Sequence, residues 1–364
     1  MEILHVVGAR PNFMKAAPVL RALAAHSGVR QILVHTGQHY DRSMSEVFFQ
    51  QLEIPEPDFN LGVGSGSQAQ QTAAIMQAFE PVVLERRPDL VLVYGDVNST
   101  VAAALVCSKI GVRLGHVEAG LRSRDRRMPE EINRLVTDQL ADLLFTPSAD
   151  GDENLLREGV DPEKIHLVGN VMIDTLLRLL PQAENHRPSG INLPYALVTL
   201  HRPSNVDDLD WLRELLATLS DLSRQLTVVF PVHPRTRQRI LESRGSFVAS
   251  DQLRFLDPLP YLEFLALQRS AAVVITDSGG IQEETTLLGV PCLTVRENTE
   301  RPITVTMGTN QLVGRDLMKL RKAAEGILAG SSKKGAGLDI HRVPLWDGHA
   351  AERIAAILMQ QAVR

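Results

Sequence analysis

Three acidic residues stand out by their position relative to apolar runs. Asp96 follows Leu90–Tyr94 in Tyr94-Gly95-Asp96-Val97-Asn98-Ser99-Thr100, and Glu118 follows Arg113–Val117. Glu130 opens Met128-Pro129-Glu130-Glu131-Ile132-Asn133-Arg134. Carboxylates crowded into one site raise one another's pKa, and groups whose pKa values are pushed apart divide acid and base work. Each also has a structural alternative: Asp96 as a helix N-cap, Glu118 as a partner of Arg122, Glu130 as a first-turn residue facing the helix dipole. Glu131 competes with Glu130 for the third role.

The basic and glycine-bearing turns suit an anion. Gly8-Ala9-Arg10-Pro11-Asn12-Phe13-Met14-Lys15 joins a tight turn to a helix start with two cations, a phosphate-binding arrangement. Lys15 is equally suited to pairing with a carboxylate. His201, in Leu200-His201-Arg202-Pro203, fits contact with a departing phosphate or proton transfer. His233, in Val232-His233-Pro234-Arg235, repeats that pattern. Thr276-Asp277-Ser278-Gly279-Gly280-Ile281-Gln282-Glu283-Glu284 runs from a strand through two glycines into a helix. There Ser278, Gly279 and Gly280 let backbone N–H groups approach an anion, and Glu283 or Glu284 can accept two hydrogen bonds from a ribose diol. Arg301 follows a later strand. Gly62, Gly64 and Gly66 follow Pro55–Asn60 rather than a strand and read as a loop. No H-E-x-x-H, Walker A or G-x-S-x-G pattern occurs, and the 11 histidines lack metal-ligand spacing, so neither metal nor cofactor is expected.

Positioning these residues requires buried parallel strands. Nearly all-apolar runs at Ile3–Val7, Gln31–His35, Leu90–Tyr94, Arg113–Val117, Leu143–Thr146 and His166–Val168 alternate with helical periodicity. A second set lies at Ala196–Thr199, Thr227–Pro231, Arg254–Leu256, Val273–Thr276 and Pro291–Val295. The pattern predicts α/β architecture: two Rossmann-like doubly wound domains, 1–168 and 169–347, facing across a cleft. An amphipathic helix over 348–364 is expected to pack back on the first domain. The polar, proline-bearing stretch Pro181–Pro194 reads as the break between the two sets of strands.

Composition excludes several classes. The 364 residues carry 38 Lys+Arg against 43 Asp+Glu, a net charge of -5, which disfavours a nucleic-acid binder. With 44% apolar and 22% charged residues, this is ordinary globular composition. Apolar runs are strand-sized and Met1-Glu2 leads directly into a strand, so neither a membrane span nor a signal peptide is expected. Cys107 and Cys292 lack CxxC spacing and read as buried apolar residues of a cytoplasmic protein.

Taken in order, the strings GARPNFMKAAP, TGQHYD, VYGDVNST, GHVEAGLRS, MPEEINR, LVGNVMIDTL, PVHPRT, TDSGGIQEE, GVPCLTVRENTERP and GTNQLVG resemble the non-hydrolysing UDP-N-acetylglucosamine 2-epimerases. The resemblance implies the glycosyltransferase-B arrangement, a homodimer, and interconversion of UDP-GlcNAc and UDP-ManNAc. The route is UDP elimination, a bound 2-acetamidoglucal and UDP re-addition. It implies catalytic roles for Asp96, Glu118, Glu130 and His201. It implies substrate contacts by Arg10, His233, Ser278, Gly279, Gly280, Glu284 and Arg301. Asn12 stands where many relatives have Glu, and Ser204 interrupts a His-Arg-x-Glu-Asn run. Two alternatives remain open: a 2-epimerase of a UDP-diacetamido-uronic acid, and a glycosyltransferase of the same fold. Some relatives bind a second UDP-GlcNAc at an allosteric site. There Gln-His precedes Arg and then Gln or Glu; here Tyr40-Asp41 follow Gln38-His39, which predicts that this regulation is lost.

Overall fold

The computed structural model describes residues 1–37, 51–186, 188–243, 251–330 and 342–362. Gln38 to Asp41 lie outside them, as do the side chains of Arg10 and Arg235. The chain forms two compact units, Met1–Thr175 with Pro344–Arg364, and Leu176–Val343.

In the first unit the order is β1 (Glu2–Val7), α1 (Arg10–Ala24), β2 (Arg30–His35), β3 (Phe59–Asn60), α2 (Gln68–Arg86), β4 (Leu90–Tyr94), α3 (Asn98–Ile110), β5 (Leu114–Val117), α4 (Pro129–Leu140), β6 (Leu143–Thr146), α5 (Ala149–Arg157), β7 (Ile165–Leu167) and α6 (Val171–Ala183). Every described pairing is parallel, in the order β3-β2-β1-β4-β5-β6-β7. The β4 strand, Leu-Val-Leu-Val-Tyr, is buried throughout because helices cover both faces of a parallel sheet. Leu4, Val6, Val91, Val93 and Leu144 share one core with Phe79, Ala103 and Cys107. The strand order reverses between β1 and β4, and the carboxyl ends of strands at such a reversal are where open α/β sheets bind ligands.

The second unit continues with β8 (Tyr195–Thr199), α7 (Pro203–Val206), α8 (Leu209–Leu222), β9 (Thr227–Pro231), α9 (Pro234–Glu242), β10 (Leu253–Leu256), α10 (Tyr261–Ser270), β11 (Val273–Thr276), α11 (Gly279–Leu288), β12 (Cys292–Thr294), α12 (Ile303–Thr306), β13 (Asn310–Leu312) and α13 (Leu317–Gly330). Its sheet runs β10-β9-β8-β11-β12-β13, again parallel, and reverses between β8 and β11. The closing helix, α14 (Ala350–Ala362), packs against α1 in the first unit. Asp174 accepts hydrogen bonds from the N–H groups of Ala350 and Ala351 at its start, at 3.2 and 2.7 Å.

The α/β expectation holds for both sheets. Three local readings need correction. Pro181 lies inside α6 rather than in a linker, and the chain changes unit within that helix, at Thr175–Leu176. The glycine run at Gly62 does follow a strand, the two-residue β3, too short and polar to show as an apolar run. The three-residue β13 at the other sheet's edge escaped for the same reason. Among the described residues no helix is long and apolar enough to cross a membrane.

Candidate functional site

At the reversal in the first unit, Glu118 and Lys15 are both buried and their Oε1 and Nζ atoms lie 2.6 Å apart. Lys15 reaches this point from α1, whose start is fixed by Asn12. Its Oδ1 accepts from the N–H groups of Gly8 and Ala9, at 3.1 and 3.0 Å, and its Nδ2 donates to the Tyr94 carbonyl at 2.6 Å. Gly95 sits between the two with φ +64, and a Cβ there would lie 2.5 Å from Lys15 Nζ, so only glycine fits. Glu118 itself has φ +74, a conformation costly for a residue with a side chain and concentrated at functional sites. Arg122 does not pair with Glu118. Its guanidinium lies 2.7 Å from both Asp138 Oδ2 and Glu158 Oε2.

Asp96 is not a helix cap: Val97 holds that position in α3, and the Asp96 carboxylate is paired with Arg134. Asn133 donates to the Asp96 carbonyl at 2.9 Å. Glu131 fastens this arrangement from beneath. Its Oε2 accepts from Arg134 Nη2 at 2.6 Å and from the Ser123 N–H at 2.9 Å, and its Oε1 accepts from the Arg124 N–H at 2.8 Å. Burial alone would raise the Glu131 carboxyl, but Arg134 and these amides outweigh it and hold it below its ordinary value. Glu131 is thus a buried anchor. Glu130 is half-buried in the first turn of α4. The sequence left these two glutamates undecided; their burial and partners separate them.

At the reversal in the second unit, Asp277 is fully buried after β11. It accepts from the His201 N–H (3.1 Å), the Arg202 N–H (2.9 Å) and Asn205 Nδ2 (3.0 Å), and its Oδ1 lies 3.0 Å from His201 Nδ1. Burial opposes ionisation of Asp277, yet His201, Asn205 and the Arg202 amide together keep its carboxyl below the ordinary range. The His201 side chain is 55% exposed, so one ring nitrogen is fixed while the rest faces outward. Ser278 precedes the first residue of α11, and its hydroxyl does not cap the helix. A Cβ on Gly279 would lie 2.4 Å from Arg301 Nη1, so the chain passes over that guanidinium. Arg301 Nε and Nη1 lie 2.8 and 2.5 Å from Glu283 Oε1 and Glu300 Oε1. Arg296 Nη2 lies 2.6 Å from the other Glu300 oxygen. Glu300, though buried, is held well below the usual carboxylate range by Arg301 and Arg296. Glu284 Oε1 accepts from the Tyr261 hydroxyl at 2.9 Å. Gly280 is half-buried in the first turn of α11, and His233 is exposed just before α9.

Arg10, Lys15, Asp96 and Glu118 thus fall at the first reversal, with Glu130 at the start of α4. His201, Ser278, Gly279 and Gly280 fall at the second, with Glu284 and Arg301 behind the turn. Sequence reasoning passed over Arg134 and Asp277 as site residues. Arg134 lies three residues beyond Glu131, a spacing that pairs side chains on one helix face. Asp277 directly precedes the turn already singled out.

The family model for UDP-N-acetylglucosamine 2-epimerase matches residues 21–359. The chain belongs to this family. It is therefore an epimerase, an enzyme of the isomerase class. A UDP-N-acetylglucosamine 2-epimerase of Methanocaldococcus jannaschii is 40% identical over 98% of this chain and 99% of its own length. A Pseudomonas aeruginosa relative, a UDP-2,3-diacetamido-2,3-dideoxy-D-glucuronate 2-epimerase, is 41% identical over the same shares. The crystal structure of the M. jannaschii UDP-GlcNAc 2-epimerase in complex with UDP-GlcNAc and UDP superposes with a TM-score of 0.89. That structural match is 39% identical and covers 99% of this chain and all of that one.

Proposed function

We propose that this epimerase inverts C2 of UDP-N-acetylglucosamine to give UDP-N-acetylmannosamine, and the reverse. The C1–O bond to UDP breaks as the C2 proton is removed, leaving a C1=C2 double bond in a bound 2-acetamidoglucal. UDP then adds back to C1 while a proton is delivered to the opposite face of C2. No electrons are gained or lost overall, so the reaction needs no redox cofactor.

One observation carries this reading. Two carboxylates, Asp96 and Glu118, stand at adjacent strand ends, each against its own cation, with Glu130 opening a nearby helix. An unactivated C2–H is a poor acid. A base must therefore be held in place while the departing diphosphate is stabilised. Delivery of a proton to the opposite face calls for a second acid–base group. Asp96, Glu118 and Glu130 fill these roles. His201, steadied by Asp277, meets the diphosphate or its proton, as does His233. Arg10, the Ser278 hydroxyl and the N–H groups of Gly279 and Gly280 receive the phosphates, and Glu284 the ribose. Lys15 and Arg301 support the site from behind, through Glu118 and through the Gly279 turn. The resemblance extends the reading to a homodimer in the cytoplasm.

The P. aeruginosa relative, 41% identical against 40% for the M. jannaschii one, favours a second reading in which the sugar is a diacetamido uronate. Incubation with each UDP-sugar alone in heavy water separates the two. Deuterium at C2 of recovered UDP-GlcNAc and UDP-ManNAc is expected. Incorporation only into the uronate transfers the assignment to that sugar, and incorporation into neither sinks both.

A further inference from the structure

We propose that His116 is a positioning residue. Its doubly protonated ring bridges the Gly95 carbonyl to Asp138 and thereby fixes the turn that presents Asp96. The proposal rests on the epimerase reading for its kinetic consequence, but not for the state of the ring.

His116 lies in β5 with no solvent exposure. Its Nε2 is 2.8 Å from the Gly95 carbonyl oxygen. A carbonyl can only accept, so Nε2 bears a hydrogen. Its Nδ1 is 2.6 Å from Asp138 Oδ1. The other Asp138 oxygen accepts from the Gly120 N–H at 3.1 Å and lies 2.7 Å from Arg122 Nη1, and both of those groups can only donate. A full cation and an amide donor set against that oxygen favour the carboxylate form of Asp138. Asp138 is a carboxylate, and Nδ1 also bears a hydrogen. With both nitrogens donating, the ring is an imidazolium, balanced within a row that continues through buried Asp138 and Arg122 to Glu158 at the surface.

The geometry gives this cation a task. The Gly95 N–H donates to the Val117 carbonyl at 3.0 Å, so β5 holds the Gly95 peptide from both sides. Asp96 is the next residue. Glu118 lies two residues beyond His116, in its own left-handed conformation. One buried ring therefore ties together the two strand ends that carry the site carboxylates. The charged groups on the site side are Lys15 and Glu118, paired with each other, and Arg134, paired with Asp96. An imidazolium offers two donors pointing in opposed directions from a rigid plane, which neither neutral tautomer of histidine does. A glutamine offers one amide nitrogen and would turn its oxygen toward another acceptor.

The test begins with the full chain carrying nitrogen-15 histidine. Long-range proton–nitrogen spectra should show one ring with both nitrogens protonated, assigned by through-bond correlation to His116. A neutral tautomer at His116 overturns the proposal, whatever the enzyme does. His116→Gln should lower kcat for C2 exchange by about 10²-fold, the scale of a misplaced catalytic group, with KM little changed and the pH–rate profile displaced. A variant with a lower Tm but unaltered kcat per folded molecule and the same pH profile would make the residue merely structural and overturn the proposal. Wild-type exchange runs alongside: its absence rejects the epimerase reading, while the nitrogen spectrum still decides the state of His116.

Discussion

The two units reverse their strand order in the same way yet use charge in opposite ways at that point. In the first unit the groups at the strand ends are carboxylates, and the cations come from helices to meet them: Lys15 from α1 for Glu118, Arg134 from α4 for Asp96. In the second unit the cations are neutralised behind the turn, Arg301 by Glu283 and Glu300, and Arg296 by Glu300. The first turn of α11 is left to offer backbone N–H groups, which have no partners within the helix. Topology fixes where the sites lie, and local charge arrangement decides that one side is suited to protons and the other to an anion.

The largest effect should come from the first-unit carboxylates. Asp96→Asn, Glu118→Gln and Glu130→Gln should each lower kcat by about 10²–10⁴, the range for a positioned acid or base. UDP affinity by calorimetry should hardly change. If any of them bound UDP tenfold more weakly while keeping near-normal turnover, the division of labour between the units would be wrong.

Next in size is Lys15→Met, which leaves Glu118 buried without its cation. Breaking a buried pair from one side costs about 3 kcal/mol or more. Thermal unfolding should show this loss in the first unit's transition, with the second unit's transition unmoved. An unshifted first transition would mean that the pair contributes nothing to the fold.

This contrast also shows what the sequence could convey. Runs such as Leu90–Tyr94 and Val273–Thr276 are buried throughout and almost wholly apolar because both faces of each strand are covered, so both sheets were visible. The strand-end residues followed from that alone. Pairing was not visible, because it depends on separations of tens of residues. Lys15 meets Glu118 across 103 positions, and His201 meets Asp277 across 76. Nor could adjacency distinguish Glu130 from Glu131. That depends on which side of α4 faces Ser123 and Arg124.

Acid–base linkage adds a contrast within the first unit, where Glu131 and Asp138 are depressed like Glu300 and Asp277 of the second. Their stabilisation is complete above the ordinary carboxylate range and is lost as pH falls through the shifted values. Asp174, in the first unit, runs the other way. Burial raises it from 3.8 to about 6, against the two amides it accepts from. Between those values the folded chain keeps a proton that the unfolded chain has released, so this group's contribution declines as pH rises. From pH about 4 to about 7, Asp174→Asn should gain about 2 kcal/mol on the wild type, read from urea unfolding of the first unit. A difference independent of pH would show that Asp174 titrates normally.

Gly279→Ala probes the second unit directly. The added Cβ would press on Arg301 and Glu300 and move the turn. UDP should bind about tenfold more weakly, the equivalent of about 1.4 kcal/mol. In the first unit Asp96 and Glu118 keep their partners, so the first unfolding transition should stay in place. Unchanged UDP affinity would remove the turn from the phosphate site.

Ser278→Ala should have the smallest effect and bears most closely on the comparison. Ser278 occupies the position before α11 where serine ordinarily caps a helix, yet its hydroxyl makes no cap bond. Its N–H donates to Thr276 Oγ1 at 3.0 Å, and its carbonyl accepts from Gln282 at 3.2 Å, so the backbone is already fixed without the side chain. Removing an ordinary capping serine costs about 1 kcal/mol of stability. Here the cost should fall within about 0.5 kcal/mol, as for a substitution away from any structural feature. If the hydroxyl instead serves the phosphate, losing one hydrogen bond should weaken UDP binding about fivefold, near 1 kcal/mol. Paired unfolding and calorimetry on the same variant separate these terms. A full capping loss with unchanged UDP affinity would show the hydroxyl working for the helix, and the second unit's site would then bind its anion through backbone amides alone.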